Sequence, residues 1–255
     1  MKKLKSAWPV IKKTLFVSIK LTVLPVLFLA SLFVLNERGH FNIRTVDIQI
    51  EEAYSQYHFL KPEIEKIQEN LNRYKGMSLW SVPLNKISDQ LAKEEWIESS
   101  RLTRAWPQRL QITLRPLEIK MLYINQQGQF QPVVKEGEVL ASIPANLAPD
   151  VALLQGSEFA KNQELRKKAV KVLEELPAEG LFSKRNISEM SYNSKDGFWI
   201  SMMTSNMKVK LGEDQIALKS RRVSQVMDYL NKNNVNAKVI DANLSKKVLV
   251  RTTKE

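Results

Sequence analysis

Three constellations in this chain have residue types that could carry chemistry. The first is Ser205-Asn206-Met207-Lys208, a Ser-x-x-Lys spacing. In penicillin-binding acyl-transferases that motif opens a helix, supplies the nucleophilic hydroxyl, and works with Ser-Asp-Asn and Lys-Thr-Gly companions. Neither companion occurs here, and the pattern falls in a turn ahead of an alternating strand. The second is the histidine pair, His40 and His58. Imidazole serves as a metal ligand or as a base near neutral pH, but neither histidine has a partner at metal-site spacing, and both read as solvated or packing residues. The third is a basic cluster on a predicted helix, Lys219, Arg221 and Arg222, which reads either as a solvated face or as a contact for phosphate or a partner. The absence of cysteine excludes thiol catalysis, disulfides and thiolate metal sites. No glycine-rich phosphate loop is present, and the carboxylates are scattered without a pair placed for acid/base work. The chain therefore reads as a non-enzyme with no cofactor and no metal.

The 255 residues that would have to position such groups are 44% apolar and carry a net charge of +12. That composition supports one large or two small cores and excludes wholesale disorder. The charge is uneven: residues 1–35 hold six lysines and no acid, so half of the excess lies in the N-terminal tail. This weakens a nucleic-acid reading.

Thr14 to Leu35 is a 22-residue apolar run with one charge, Lys20. A helix of about 20 residues crosses a bilayer core; Lys20 is near enough to its start to snorkel, and Pro25 is tolerated in a membrane helix. A cleaved signal peptide would have a shorter apolar stretch and a small-residue cleavage site, and a buried core helix would not follow so basic a start. The five lysines before the run and the nearly balanced flank after it predict a cytoplasmic tail (1–13), a transmembrane helix (14–35) and an extracytoplasmic remainder.

Residues 41–117 predict a compact α+β unit. Val46, Ile48 and Ile50 alternate as a half-buried strand. Ile64, Ile67 and Leu71, then Leu84, Ile87 and Leu91, form two helical stripes, the first stopped by Gly76. A short strand at 101–105, a Trp106-Pro107-Gln108 turn and a strictly alternating strand, with Leu110, Ile112 and Leu114 inward, complete a β-α-α-β-β order. Trp80, Trp96 and Trp106 read as core or turn-packing residues rather than binding anchors. Residues 118–252 predict a mixed β-sheet domain with helices on one face. Strands are expected at 119–124, 130–134, 139–140, 187–192, 198–203, 207–211, 237–241 and 247–252, with helices over 162–176 and after Gly212.

The ordered set of Gly76, Leu79-Trp80-Ser81-Val82, Trp96-Ile97, Arg104-Ala105-Trp106-Pro107 and Arg115-Pro116, directly after a single apolar run, resembles a POTRA domain. With the Glu136-Gly137-Glu138-Val139-Leu140 turn, Pro144, Leu211-Gly212 and Val239-Ile240-Asp241, the chain over roughly residues 1–252 resembles the FtsQ/DivIB family of bacterial cell-division proteins. One departure is Leu114, where the family often has an acidic residue. The resemblance implies a bitopic scaffold of the divisome at the septum. It would link early and late division proteins, bind FtsB and FtsL type partners, and regulate septal peptidoglycan synthesis. The alternative is a POTRA-bearing component of envelope protein transport or outer-membrane assembly, which predicts tandem POTRA repeats or a barrel.

The last strand, Lys247-Val248-Leu249-Val250-Arg251-Thr252, reads as a sheet edge guarded by Lys246, Lys247 and Arg251. Such an edge is a template for strand addition by a partner, and the resemblance implies that FtsB docks there, with Leu244 at a position where the family has an aromatic contact. Val248 and Val250 are expected to fill the core, Leu249 and Arg251 to face outward. Arg221 and Arg222 are the second candidate contact.

Overall fold

Apolar side chains surround the first described helix on every side. In the computed structural model, which describes residues 23–203, 205–244 and 247–252, residues 23–37 form this helix (α1). Leu24, Leu27, Phe28, Leu29 and Phe33 are each 60–63% exposed. Residues 1–22, with the tail and the first part of the expected span, lie outside the described residues. Among the described residues no helix is long and apolar enough to cross a membrane.

The chain divides into two units. The first takes the residues up to Glu52 together with Lys61–Arg115; the second takes Ala53–Leu60 and the chain from Pro116 onward. In the first unit the alternating segments become strands and the striped segments helices, in the β-α-α-β-β order of the sequence. These are β1 (Thr45–Ile50), α2 (Lys61–Leu71), α3 (Leu84–Leu91), β2 (Ile97–Ala105) and β3 (Arg109–Pro116). The sheet order is β1-β3-β2, with β1 parallel to β3 from Thr45 opposite Arg109 to Ile50 opposite Leu114. Leu110, Ile112 and Leu114 are fully buried on the central strand. Ile67 and Leu71 of α2 and Ile87 and Leu91 of α3 complete this core, as the i, i+4 stripe of an amphipathic helix requires.

The second unit is one mixed sheet with a helix layer. Its strands are β4 (Ile119–Ile124), β5 (Phe130–Val134), β6 (Leu153–Gln155), β7 (Ile187–Asn193), β8 (Gly197–Met202), β9 (Lys208–Gly212), β10 (Ala237–Asp241) and β11 (Leu249–Thr252). They lie in the order β11-β10-β9-β8-β7-β6-β4-β5. Two helices, α4 (Gln163–Glu175) and α5 (Ile216–Lys232), join strand residues in one core cluster. One row of paired residues runs through it: Tyr123, Leu154, Met190, Ile200, Val209 and Ile240, side by side across six strands and all buried. Asn162 caps α4, its side chain accepting from Leu165 N–H at 2.9 Å.

Two elements differ from the sequence expectation. Residues 139–140 form no strand; Val139 makes an isolated bridge to Val133 instead. Leu153–Gln155, unexpected from the sequence, is a strand paired with both β4 and β7. Three residues are too few to show a period.

Candidate partner-binding surface

β11 is the outermost strand of the sheet among the described residues. It pairs antiparallel with β10 alone, Leu249 opposite Asp241, Val250 opposite Ile240 and Arg251 opposite Val239. All four of its residues are exposed, Leu249 at 51% and Val250 at 37%. Along an edge strand, alternate residues turn their backbone N–H and C=O groups away from the sheet. The exposed side of β11 is therefore a short unpaired ladder.

The expected core role of Val250 is not observed. Val250 extends the buried row beyond Ile240, which has no exposed surface, yet it is itself exposed. That face of β11 is therefore not covered by the described residues either. Val248, just before the strand, does pack against the core. On the opposite face Leu249 continues the row of Ser191, Trp199, Lys210 and Asp241. A strand added to β11 would thus meet an apolar side chain on each face, Leu249 on one and Val250 on the other, followed by Arg251.

The turn that delivers β11 is held by a polar cluster. Lys219 of α5 is buried, and its ammonium donates to Asp214 and to Asn243 Oδ1, the latter at 3.1 Å. Asn243 in turn donates from its N–H to Asp241 Oδ1 at 3.0 Å and from Nδ2 to the Asp196 carbonyl at 3.3 Å. Lys210 closes the group on Asp196 Oδ1 at 2.7 Å and lies 3.8 Å from Asp241 Oδ2. Gly212 makes room for it: at φ +82°, a Cβ there would lie 2.0 Å from Asn243 Oδ1. The Lys219 hydrogen bond, with its charge, holds the Asp214 carboxyl below the usual carboxylate range, and the bond to Asp196 raises the Lys210 ammonium. Leu244, next along the turn, is half-buried and Lys247 is exposed.

The basic cluster read from the sequence splits apart. Lys219 is spent inside the polar cluster just described. Arg221 is exposed and Arg222 partly buried on α5. Sequence periodicity assigned Lys219 to a helix face but could not show that Asp214 and Asn243 close over it. Asn243, a key residue of this turn, carries no sequence signal at all. His40 and His58 are exposed, and no group of three His, Asp or Glu side chains able to hold a metal occurs among the described residues. Ser205 sits in a bend and Lys208 begins β9, so the Ser-x-x-Lys spacing does not open a helix.

Comparison with known families matches residues 61–115 to the FtsQ-type POTRA domain and residues 122–243 to the C-terminal domain of cell division protein FtsQ/DivIB, in the order in which the two units follow one another. The chain belongs to the FtsQ/DivIB family. It is 24% identical over 183 residues to a cell division protein FtsQ of Syntrophotalea carbinolica, covering 69% of this chain and 64% of that one. It is 26% identical over 190 residues to a cell division protein FtsQ of a Geobacter species, covering 69% and 66%. It is 26% identical over 166 residues to a cell division protein DivIB of Solibacillus silvestris, covering 64% and 55%. The match thus spans less than two thirds of the length of each of these curated relatives. β1 and β11 both fall outside the matched stretches.

Proposed function

We propose that this FtsQ/DivIB protein is a non-enzymatic bitopic scaffold of the divisome. A cytoplasmic tail (1–13) and a membrane span (14–35) would carry both units on the outer side of the inner membrane, at the division septum. The uncovered β11 edge would receive a strand of an FtsB type partner, bringing FtsL with it and passing control to septal peptidoglycan synthesis. One observation carries this reading: among the described residues β11 is paired on one side only, and it exposes all four of its residues. The exposed apolar surface of α1 supports the span, because among the described residues no core covers Leu24, Phe28 or Phe33.

Deleting residues 247–255 from the full chain should abolish capture of an FtsB type partner in a pull-down while leaving the far-UV spectrum and membrane retention intact. Full capture by the truncated, folded chain would move the interface elsewhere, to the Arg221 and Arg222 surface first. Orientation has its own test, since the chain has no cysteine. A cysteine at Ser55, but not one at Ser6, should react in intact cells with a thiol reagent excluded by the inner membrane; the reverse pattern would contradict the topology.

A further inference from the structure

The first unit carries an aromatic surface that strand pairing to a partner does not use. Trp80 and Trp106 are 55% and 53% exposed and stack edge-to-face with ring centres 4.7 Å apart. Met77, 38% exposed, adds to the same loop, and Phe41 packs its ring 5.0 Å from that of Trp106. Single exposed apolar residues are ordinary, but two tryptophans presented together mark a contact surface.

Their place in the unit says what they contact. The last turn of α1 and the segment after it are tied to the two loops that hold these rings. Ser78 Oγ donates to Asn36 Oδ1 at 2.8 Å, Leu79 N–H to the Phe41 carbonyl at 2.8 Å, and Gln108 Nε2 to the His40 carbonyl at 3.0 Å. Arg104 braces the loop from behind, its guanidinium donating to the Leu79 and Val82 carbonyls at 2.7 and 3.3 Å. The tryptophans therefore lie at the end of the unit where the apolar helix leaves it. Charge follows the same axis. Segments 36–44, 75–82 and 104–109 carry Arg38, Arg44, Lys75 and Arg109 on the surface against one acid, Glu37. At the opposite end of the strands stand Glu51 and Glu98, paired with Arg115.

We propose that the Trp80–Trp106 face docks the first unit onto the surface of the bilayer that α1 enters, with the surrounding arginines and Lys75 on anionic lipid headgroups. Indole rings settle at the headgroup level because one part is apolar and the other hydrogen-bonds, and each nearby cation adds attraction to an anionic leaflet. Docking fixes the tilt of the unit over the membrane instead of leaving it on a leash. This inference rests on the membrane span proposed above.

The test uses the full chain in lipid nanodiscs. A single cysteine at Ser81, beside the tryptophans, or at Ser99, toward the far end of β2, carries an environment-sensitive fluorophore; doxyl-labelled lipids quench it. In phosphatidylglycerol-containing discs the label at 81 should be quenched about threefold more than that at 99. Trp80→Ser with Trp106→Ser should remove most of that difference, with an unchanged far-UV spectrum. Arg44→Glu with Arg109→Glu, which leaves the rings in place, should reduce it too. Quenching at 81 that survives both double variants would overturn docking and leave the aromatic face to a protein. Alkaline carbonate extraction separates the two levels of the argument: a chain released by carbonate has no span, and both readings fall, whereas a retained chain with unaltered quenching removes docking alone.

Discussion

The two edges of the eight-stranded sheet are treated in opposite ways. At the β5 edge the chain turns back over its own strand. Ile143 N–H donates to the Phe130 carbonyl at 2.8 Å, Leu140 N–H to Pro132 at 2.9 Å, and Val134 N–H to Glu138 at 3.1 Å. Pro132 removes one donor from the strand itself, and Val133 and Val134 are buried. At the β11 edge nothing described covers the strand, and its side chains are exposed on both faces. An unguarded edge invites aggregation, and proteins ordinarily cover, shorten or charge it. The same sheet shows both solutions: a cover at one end, and at the other a strand of only four residues with Lys247 before it and Arg251 within it. The difference teaches that one sheet can close an edge with its own backbone at β5 and, among the described residues, leave the other edge open at β11.

The covered edge depends on two residues, and removing either should have large effects. Gly137 sits at φ +76° against α4, where a Cβ would come within 2.5 Å of the Gln163 carbonyl oxygen and 2.6 Å of Lys167 N. Gly137→Ala should cost about 3 kcal/mol in chemical unfolding of the full chain, since both strain and backbone collision must be relieved. A variant of wild-type stability would show that the 135–138 turn is free of α4. Arg166 comes next. Its buried guanidinium donates to the carbonyls of Gly137 (2.7 Å), Phe159 and Ala160. Arg166→Met should lose about 2 kcal/mol in the same assay by leaving those carbonyls without a donor.

The open edge should respond differently. Asp214→Asn weakens the cluster that holds the turn into β11, and its effect should depend on pH. The folded-state carboxyl titrates below its ordinary value because of the Lys219 hydrogen bond and charge. Its contribution is therefore present above the unfolded carboxylate pKa and is lost as the pH falls through the lower folded value. The stability gap between wild type and Asp214→Asn should be full near neutrality and should close in acid; a gap that widens on acidification would contradict this assignment. The smallest stability effect belongs to Leu249→Ser. With the side chain already half in water, unfolding should shift by less than about 0.5 kcal/mol, while partner capture weakens. A large loss of stability would mean that β11 is part of the core after all.

How much of this was readable before the structure follows from the kind of signal each residue sends. The strand of Leu110, Ile112 and Leu114 and the stripe of Ile87 and Leu91 announce themselves by period, and each is buried as expected. Of the strand expected over 247–252, residues 249–252 form β11; the exposure of Val250 was not legible, because alternation says which face a residue takes and not whether that face is covered. Lys219 read as part of a basic helix face; its burial is decided by acceptors that the period does not reveal, the Asp214 carboxylate and the Asn243 side-chain amide oxygen. The tryptophans, read as core or turn-packing residues, divide: Trp96 is buried in the core, whereas Trp80 and Trp106 are more than half exposed and pack ring against ring at their turns, since aromatic residue type alone does not say how deeply a ring is buried.

The central claim is that the β11 edge, and not the β5 edge, receives a partner strand. Amide hydrogen exchange of the full chain, with and without an FtsB type partner, tests it residue by residue. The account predicts that outward-facing amides within Leu249–Thr252 slow by at least about 100-fold on binding, as pairing of an exposed ladder requires, while those of Phe130–Val134 stay unchanged. Protection gained on α5 around Arg221 and Arg222, with β11 exchanging as before, would contradict it.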